Sequence, residues 1–430
     1  MSSFLLTFVI IMALVCLLGF LNEKVTKLTY EISLMLFSVV IGVVFVVVDA
    51  LSEGTGISQA LPHNQILNIE KYLMDGVLCF MLFAGSCHLR LSDFVKYARQ
   101  VTVLSLLCTF LGAVIYGLLF YGAGQLLGLG LSLPVCLMFG SIVAPTDPIA
   151  ATSILNKFGL PKNISFLIEG ESLFNDGVGV ALFVSFSGMV AATSSSSSSN
   201  FFVVMLSELL GAIAVGAVVT LVLFPLYRFT KSHTLGIFVS LLTVALAYYL
   251  CDLFGFSGAI ASVVSGIIFS ALRTRFCKQE EEEKVRRFST FWETLDTLMN
   301  SVLYVSLGLC FVQVFRMEHV LILSLIAIIA NLLARSGSLS FSTLVMGKIP
   351  DGYDKWNFIK LLTWGGLRGG LSIALAMSTK EMLPETTFYI VLGTTYAIAF
   401  FTTVVQGLTM KSVYKRISLS VEKKSALKKG

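Results

Sequence analysis

Residues 170–183 read GESLFNDGVGVALF, and the chain around them is almost entirely apolar. Glu171, Ser172, Asn175 and Asp176 stand out. A helix turns by about 100° per residue. With Glu171 at zero, Asn175 falls at about 40°, Ser172 at about 100° and Asp176 at about 140°, so all four share one face. Glu169 falls at about 160°, nearer the helix start. A carboxylate at the centre of a bilayer costs about 3 kcal/mol on insertion scales, so each needs a partner, a cavity or a function. Oxygens from carboxylate, hydroxyl and amide suit a hard cation, whereas zinc or copper would call for thiolate or imidazole. One buried carboxylate that holds either a proton or a metal ion, never both, is the minimal part of an exchanger.

Two other stretches join this one. VAPTDPIA (143–150) interrupts an apolar run with Pro145 and Pro148 around Thr146 and Asp147. WGGLRGGLS (364–372) interrupts another with four glycines around Leu367 and Arg368. The two breaks lie an odd number of spans apart, so the copies run in opposite directions. Paired Pro- or Gly-interrupted spans in matching positions of inverted repeats mark a transporter site near the midplane. Where the first unwinds, free carbonyls are expected to ligate a cation, and Asp147 to offset the half-helix dipoles. Gly177 and Gly179 are expected to admit that broken span close to the Glu171–Asp176 helix. The deep ionisable set is Asp147, Glu169, Glu171, Asp176, Arg335 and Arg368.

The elements that position these residues follow from composition. Of 430 residues, 56% are hydrophobic and only 13% charged, about half the charge of a soluble domain. The apolar runs are continuous rather than alternating, which selects helices over a barrel. We read an all-α polytopic membrane protein of about thirteen transmembrane helices. Their limits are roughly 4–21, 32–51, 66–87, 101–120, 133–155, 164–190, 201–226, 234–251, 255–272, 291–315, 320–346, 358–379 and 385–410. With the amino end outside, the inside segments hold every Lys and Arg except Lys71, Arg316 and Lys380 outside and Arg335 and Arg368 within spans. That is the positive-inside pattern, and it places the carboxyl end in the cytoplasm. It also explains the net charge of +5 without a nucleic-acid partner. The eight cysteines are scattered and lack a C-x-x-C pattern, so neither disulfide nor metal is expected of them. Phe4 to Leu21 lacks a basic start and a small-residue cleavage site, and reads as a retained span. The serine run 194–199 reads as an outside linker, 279–287 as a solvated cytoplasmic loop, and residues 413–430 as a short basic cytoplasmic tail in reach of anionic lipid.

APTDPIA, then EGESLFNDGVGVALF, then WGGLRGGLSIALA resemble the monovalent cation:proton antiporter family, in its NhaP-type bacterial and sodium–hydrogen exchanger branch. The resemblance runs from about residue 4 to 412. It implies the NhaA/NhaP-like fold of two inverted repeats with two broken crossing helices. Residues 1–412 would form the exchanger domain, with a core at about 101–190 and 320–410 and a dimerisation scaffold at about 4–87 and 201–315. It implies electroneutral exchange of Na+, with Li+ as a further cargo, for H+ by elevator-like alternating access, without a cofactor, in a homodimer of the cell membrane that serves pH and sodium homeostasis. Position by position, Asp176 matches the aspartate that binds ion or proton, and Asn175 the asparagine of the electroneutral branch. Thr146 and Asp147 match the unwound-helix residues, and Ser172 a serine at the ion. The implied sodium ligands are thus Asp176, Asp147, Thr146 and Ser172. Glu171 matches a glutamate paired with an arginine, for which Arg335 fits, and Arg368 the arginine of the second broken helix.

One departure bears on the ion. Many NhaP-type members read LLFEGGL in span three, where this chain has MLFAGSCHL with Ala84 in place of the glutamate. Potassium–proton exchange on the same site is the near alternative. A sodium-coupled symporter would need a second polar cluster, which the spans lack. An intramembrane aspartyl protease needs two aspartates sharing a proton, typically with glycines before the second, whereas here they follow Asp176. The reading is a transporter, not an enzyme.

Overall fold

A bilayer core offers no water to backbone groups, so each span must satisfy its own, and the helix does this locally. The structure, a computed structural model, describes residues 2–51, 78–87, 91–147, 151–152, 155–156, 159–192, 201–277, 282–310, 319–347, 349 and 353–427. Pro148, the serine run 194–199, part of the 279–287 loop and most of the expected third span lie outside the described residues. Within them the chain is helical, with one isolated β-bridge.

The helices are α1 (Ser2–Leu21), α2 (Tyr30–Leu51), α3 (Leu78–Cys87), α4 (Leu91–Thr102), α5 (Cys108–Leu126), α6 (Leu133–Val143), α7 (Lys162–Ala192), α8 (Phe201–Phe229), α9 (His233–Phe254) and α10 (Gly258–Phe276). They continue with α11 (Glu282–Cys310), α12 (Val320–Met346), α13 (Lys355–Trp364), α14 (Gly370–Ser378), α15 (Glu385–Phe400) and α16 (Gly407–Leu427). A π-turn at Val103–Leu107 joins α4 to α5, and another at Phe401–Gln406 joins α15 to α16. Eight described helical stretches are long and apolar enough to cross a membrane. The α6 and α13–α14 spans fall outside that set because each is interrupted, and the pieces are too short to cross singly.

Two sets of contacts organise the bundle. In one, α5 packs on α6 and α12, α6 on α7, and α15 on α12 and α14. In the other, α8, α9 and α10 pack together, α10 lies on α3, and α11 lies on α2 and α3. The first set closes tightly. A methyl group on Gly140 would sit 2.0 Å from the Ala113 carbonyl oxygen, so only glycine lets α5 and α6 approach this far. Beside it, the Phe139 ring meets Tyr116 and Phe120 edge-on, each at 4.9 Å between centroids. Val218, Leu221, Val222 and Leu226 of α8 point outward, as apolar side chains do where lipid is the solvent.

The carboxyl-terminal segment is not a free tail at its start. α16 runs through Leu427, and Met410, Tyr414 and Ile417 are buried against Leu155, Leu160 and Phe358. The Tyr414 hydroxyl donates to the Gly159 carbonyl at 3.1 Å. The spacing of three and four residues puts these side chains on one helix face and leaves Lys411, Lys415 and Arg416 exposed.

Candidate ion-binding site

The two interruptions meet. After α6 the chain leaves the helix at Ala144–Asp147, because Pro145 has no N–H to donate and its ring crowds the preceding turn. Between α13 and α14, Gly365–Gly369 is likewise non-helical. Asp147 and Leu367 form an antiparallel bridge, the Asp147 N–H donating to the Leu367 carbonyl at 2.8 Å. The unwound segments therefore cross and satisfy part of each other's backbone.

α7 lies against this crossing. The Thr146 N–H donates to Asn175 Oδ1 at 3.3 Å, and Asn175 Nδ2 donates back to Thr146 Oγ1 at 2.8 Å. Thr146 Oγ1 also meets Ser172 Oγ at 3.1 Å. Asn175, Ser172 and Thr146 are all buried. A neutral amide that offers both a donor and an acceptor suits this place, since it serves an N–H and a hydroxyl of one unwound residue together. The close approach depends on Gly179: a methyl there would lie 2.2 Å from Pro145 Cγ. Gly177, expected to serve the same contact, serves another. Its missing methyl would lie 2.6 Å from Ile260 Cγ1 of α10, because it sits about 160° away from Gly179 around the helix.

The arginines take separate tasks. Arg335 of α12 donates to Glu171 Oε1 at 2.6 Å, with both side chains buried. It also reaches the Leu362 carbonyl at 3.5 Å and Cys108 Sγ at 3.7 Å. Arg368 donates to the Ala144 carbonyl, to the Pro145 carbonyl at 2.7 Å and to Asn331 Oδ1 at 2.8 Å. It thus covers the carbonyl end of α6, where the helix dipole is negative. Of the break's carbonyls, expected to ligate a cation, those of Ala144 and Pro145 accept from the guanidinium. Thr402 and Thr403, in the second π-turn, hold the Arg368 backbone through its N–H and carbonyl at 3.0 and 3.2 Å.

Asp147 and Asp176 remain. Asp147 accepts from the Tyr304 hydroxyl of α11 at 2.5 Å. Asp176 hydrogen-bonds to none of the described residues, is partly exposed, and lies in electrostatic range of Asp147 and Arg368. Glu169 stands apart, half-buried, and accepts from Ser165 at 2.8 Å. Ala84 of α3 is buried with Phe83, Phe269 and Trp292 and brings no oxygen. Among the described residues no group of three or more His, Cys, Asp and Glu gathers as a metal-binding cluster. Tyr304, Asn331, Thr402 and Thr403 were missed from sequence. Asn331 had a signal, since it precedes Arg335 by one helical turn and so shares its face.

The residues at the crossing are three carboxylates, Asp147, Glu171 and Asp176, and two guanidiniums, Arg335 and Arg368. With all five ionised, one negative charge is left over. A single proton or a single monovalent cation neutralises it.

Comparison with known proteins gives the same direction. The family described as "Sodium/hydrogen exchanger, transmembrane" matches residues 64–416. The chain is similar to the Na(+)/H(+) antiporter NhaP of Pseudomonas aeruginosa, 30% identical over 415 residues that cover 94% of this chain and 95% of that protein. It is also 30% identical to the Na(+)/H(+) antiporter NhaH of Halobacillus aidingensis over 346 residues, 79% of this chain and 82% of that one. Its structure resembles that of the sodium proton antiporter MjNhaP1 from Methanocaldococcus jannaschii at pH 8, with a TM-score of 0.77 and 20% identity over 97% of this chain and 99% of that chain. At that identity the likeness speaks to fold.

Proposed function

This chain belongs to the sodium/hydrogen exchanger family, and from that premise we propose that it exchanges one sodium ion for one proton at Asp176. It is a multi-pass membrane transporter rather than an enzyme. The observation that carries the exchange reading is the excess of one carboxylate over the guanidiniums at the helix crossing. Glu171 has its charge matched by Arg335 at 2.6 Å. Asp147 accepts from the Tyr304 hydroxyl, and Arg368 spends its described hydrogen bonds on the Ala144 and Pro145 carbonyls and Asn331. Asp176 is left as the group that must take a proton or a cation, and the two compete because either one neutralises it.

In this reading sodium is held by oxygens of Asp176, Asp147, Thr146 and Ser172. Asn175 braces the unwound segment through Thr146 and does not titrate. Swapping a proton for a monovalent ion at one carboxylate moves no net charge, so transport is electroneutral. The α5–α7 and α12–α15 helices act as the moving core, and α1–α3 with α8–α11 as the scaffold and dimer contact, the core shifting against the scaffold in an elevator-like step. The protein sits in the cell membrane with its amino end outside and its carboxyl end in the cytoplasm, and serves sodium and pH homeostasis. The absence of a side-chain oxygen at Ala84 leaves the crossing itself to supply the ligands.

The test uses purified protein in sealed vesicles with the membrane potential clamped. Adding sodium outside should release protons at a rate that does not respond to the imposed voltage. A rate that rises steeply with voltage would contradict electroneutrality. Proton release on adding potassium but not sodium would move the cargo to potassium.

A further inference from the structure

Asp147 is held from outside the segments that carry the crossing. Tyr304 lies in the apolar run SVLYVSLGLC of α11, its ring buried. Its hydroxyl donates to Asp147 Oδ2 at 2.5 Å. A buried tyrosine seeks a partner for its O–H, and an O–H bonded to an ionised carboxylate is short, about 2.5–2.7 Å. The same carboxylate also lies against a backbone without a side chain: a methyl on Gly369 would lie 2.9 Å from both Cβ and Oδ2 of Asp147. The neighbouring residue locks the same place. Leu303 fills the space over Gly370, where a methyl would come within 1.8 Å of Leu303 Cδ2. One turn of α11 thus presses on the first residue of α14 and holds Asp147 in a slot.

We propose that Tyr304 is a positioning residue for the cation: its hydroxyl fixes the orientation of the Asp147 carboxylate, and so sets how tightly the site holds sodium. The proposal rests on the reading of Asp147 as part of the ion site. α11 otherwise packs on α2 and α3, so the bond also ties the crossing to the second set of helices. A purely structural tyrosine would contribute through its ring alone, and removing one oxygen from it would leave sodium affinity untouched.

The test is Tyr304→Phe in vesicles, scored for apparent KM and maximal rate with sodium and for melting temperature. The apparent KM should rise by about tenfold, the scale of one charge-assisted hydrogen bond, with the maximal rate held within about twofold. An unchanged KM, or a loss confined to melting temperature and maximal rate, overturns the proposal. Incorporating 3-fluorotyrosine at 304 keeps the shape and strengthens the donor, so the KM should fall below wild type. That variant decides the matter if the phenylalanine protein does not fold, an unchanged KM again overturning it. Asp147→Asn, assayed alongside, separates the two levels. If it exchanges at the wild-type rate, the ion-site reading itself fails. If it is inactive while Tyr304→Phe behaves as wild type, only the role of Tyr304 falls.

Discussion

Arg335 on α12 and Glu171 on α7 form an ion pair of 2.6 Å, the arginine 6% and the glutamate 1% exposed. The residues are far apart in sequence and the pair ties two helices at the depth of the crossing. Guanidinium suits this task because it stays charged and is less strongly hydrated than an ammonium. In the proposed function the pair leaves Glu171 a fixed charge outside the exchange.

Breaking that pair from one side leaves a buried charge without a partner, at a cost of about 3–5 kcal/mol. Arg335→Gln and Glu171→Gln should each lower the melting temperature in detergent and impair exchange. The double variant should recover stability relative to either single change, because both charges are gone. A double-mutant cycle on melting temperature measures this. Strictly additive losses would contradict the coupling.

Competition at one carboxylate makes a distinct kinetic statement. If Asp176 is the shared carboxylate, protons and sodium compete for it, and more sodium is needed at lower pH. The apparent KM for sodium should therefore rise as pH falls, while the maximal rate at saturating sodium changes little, provided that the proton gradient is not limiting. Initial rates over a grid of sodium and pH would show it. A maximal rate that falls at constant KM would point to titration of a separate group.

Much of the architecture is visible in the residues because the bilayer permits so few solutions. The expected span 320–346 coincides with α12, and the expected 164–190 lies within α7 with two more residues at each end. The two breaks were visible because proline removes a donor and glycines weaken helix. That they pair through Asp147 and Leu367 was not, since a single bridge has no periodic signature. Helical phase grouped Glu171, Ser172, Asn175 and Asp176, yet it could not divide them. Glu171 turns to Arg335, Ser172 and Asn175 to Thr146, and Asp176 to none of the described residues, because different neighbours pack on different parts of one broad face. Gly177 and Gly179 show the same limit: two glycines two residues apart read as one permissive stripe but serve α10 and Pro145 respectively. The carbonyls of Ala144 and Pro145 looked available from sequence. Arg368 reaches them only because the two breaks cross, which is a fact of tertiary structure.

The exchange reading rests on Asp176 as the carboxylate that carries either ion. Replacing it with Asn keeps the size and the polarity but removes the exchangeable charge. Asp176→Asn protein should elute from size exclusion as the wild type does, yet vesicles containing it should release no protons on addition of sodium. Wild-type exchange by vesicles carrying Asp176→Asn would contradict the assignment.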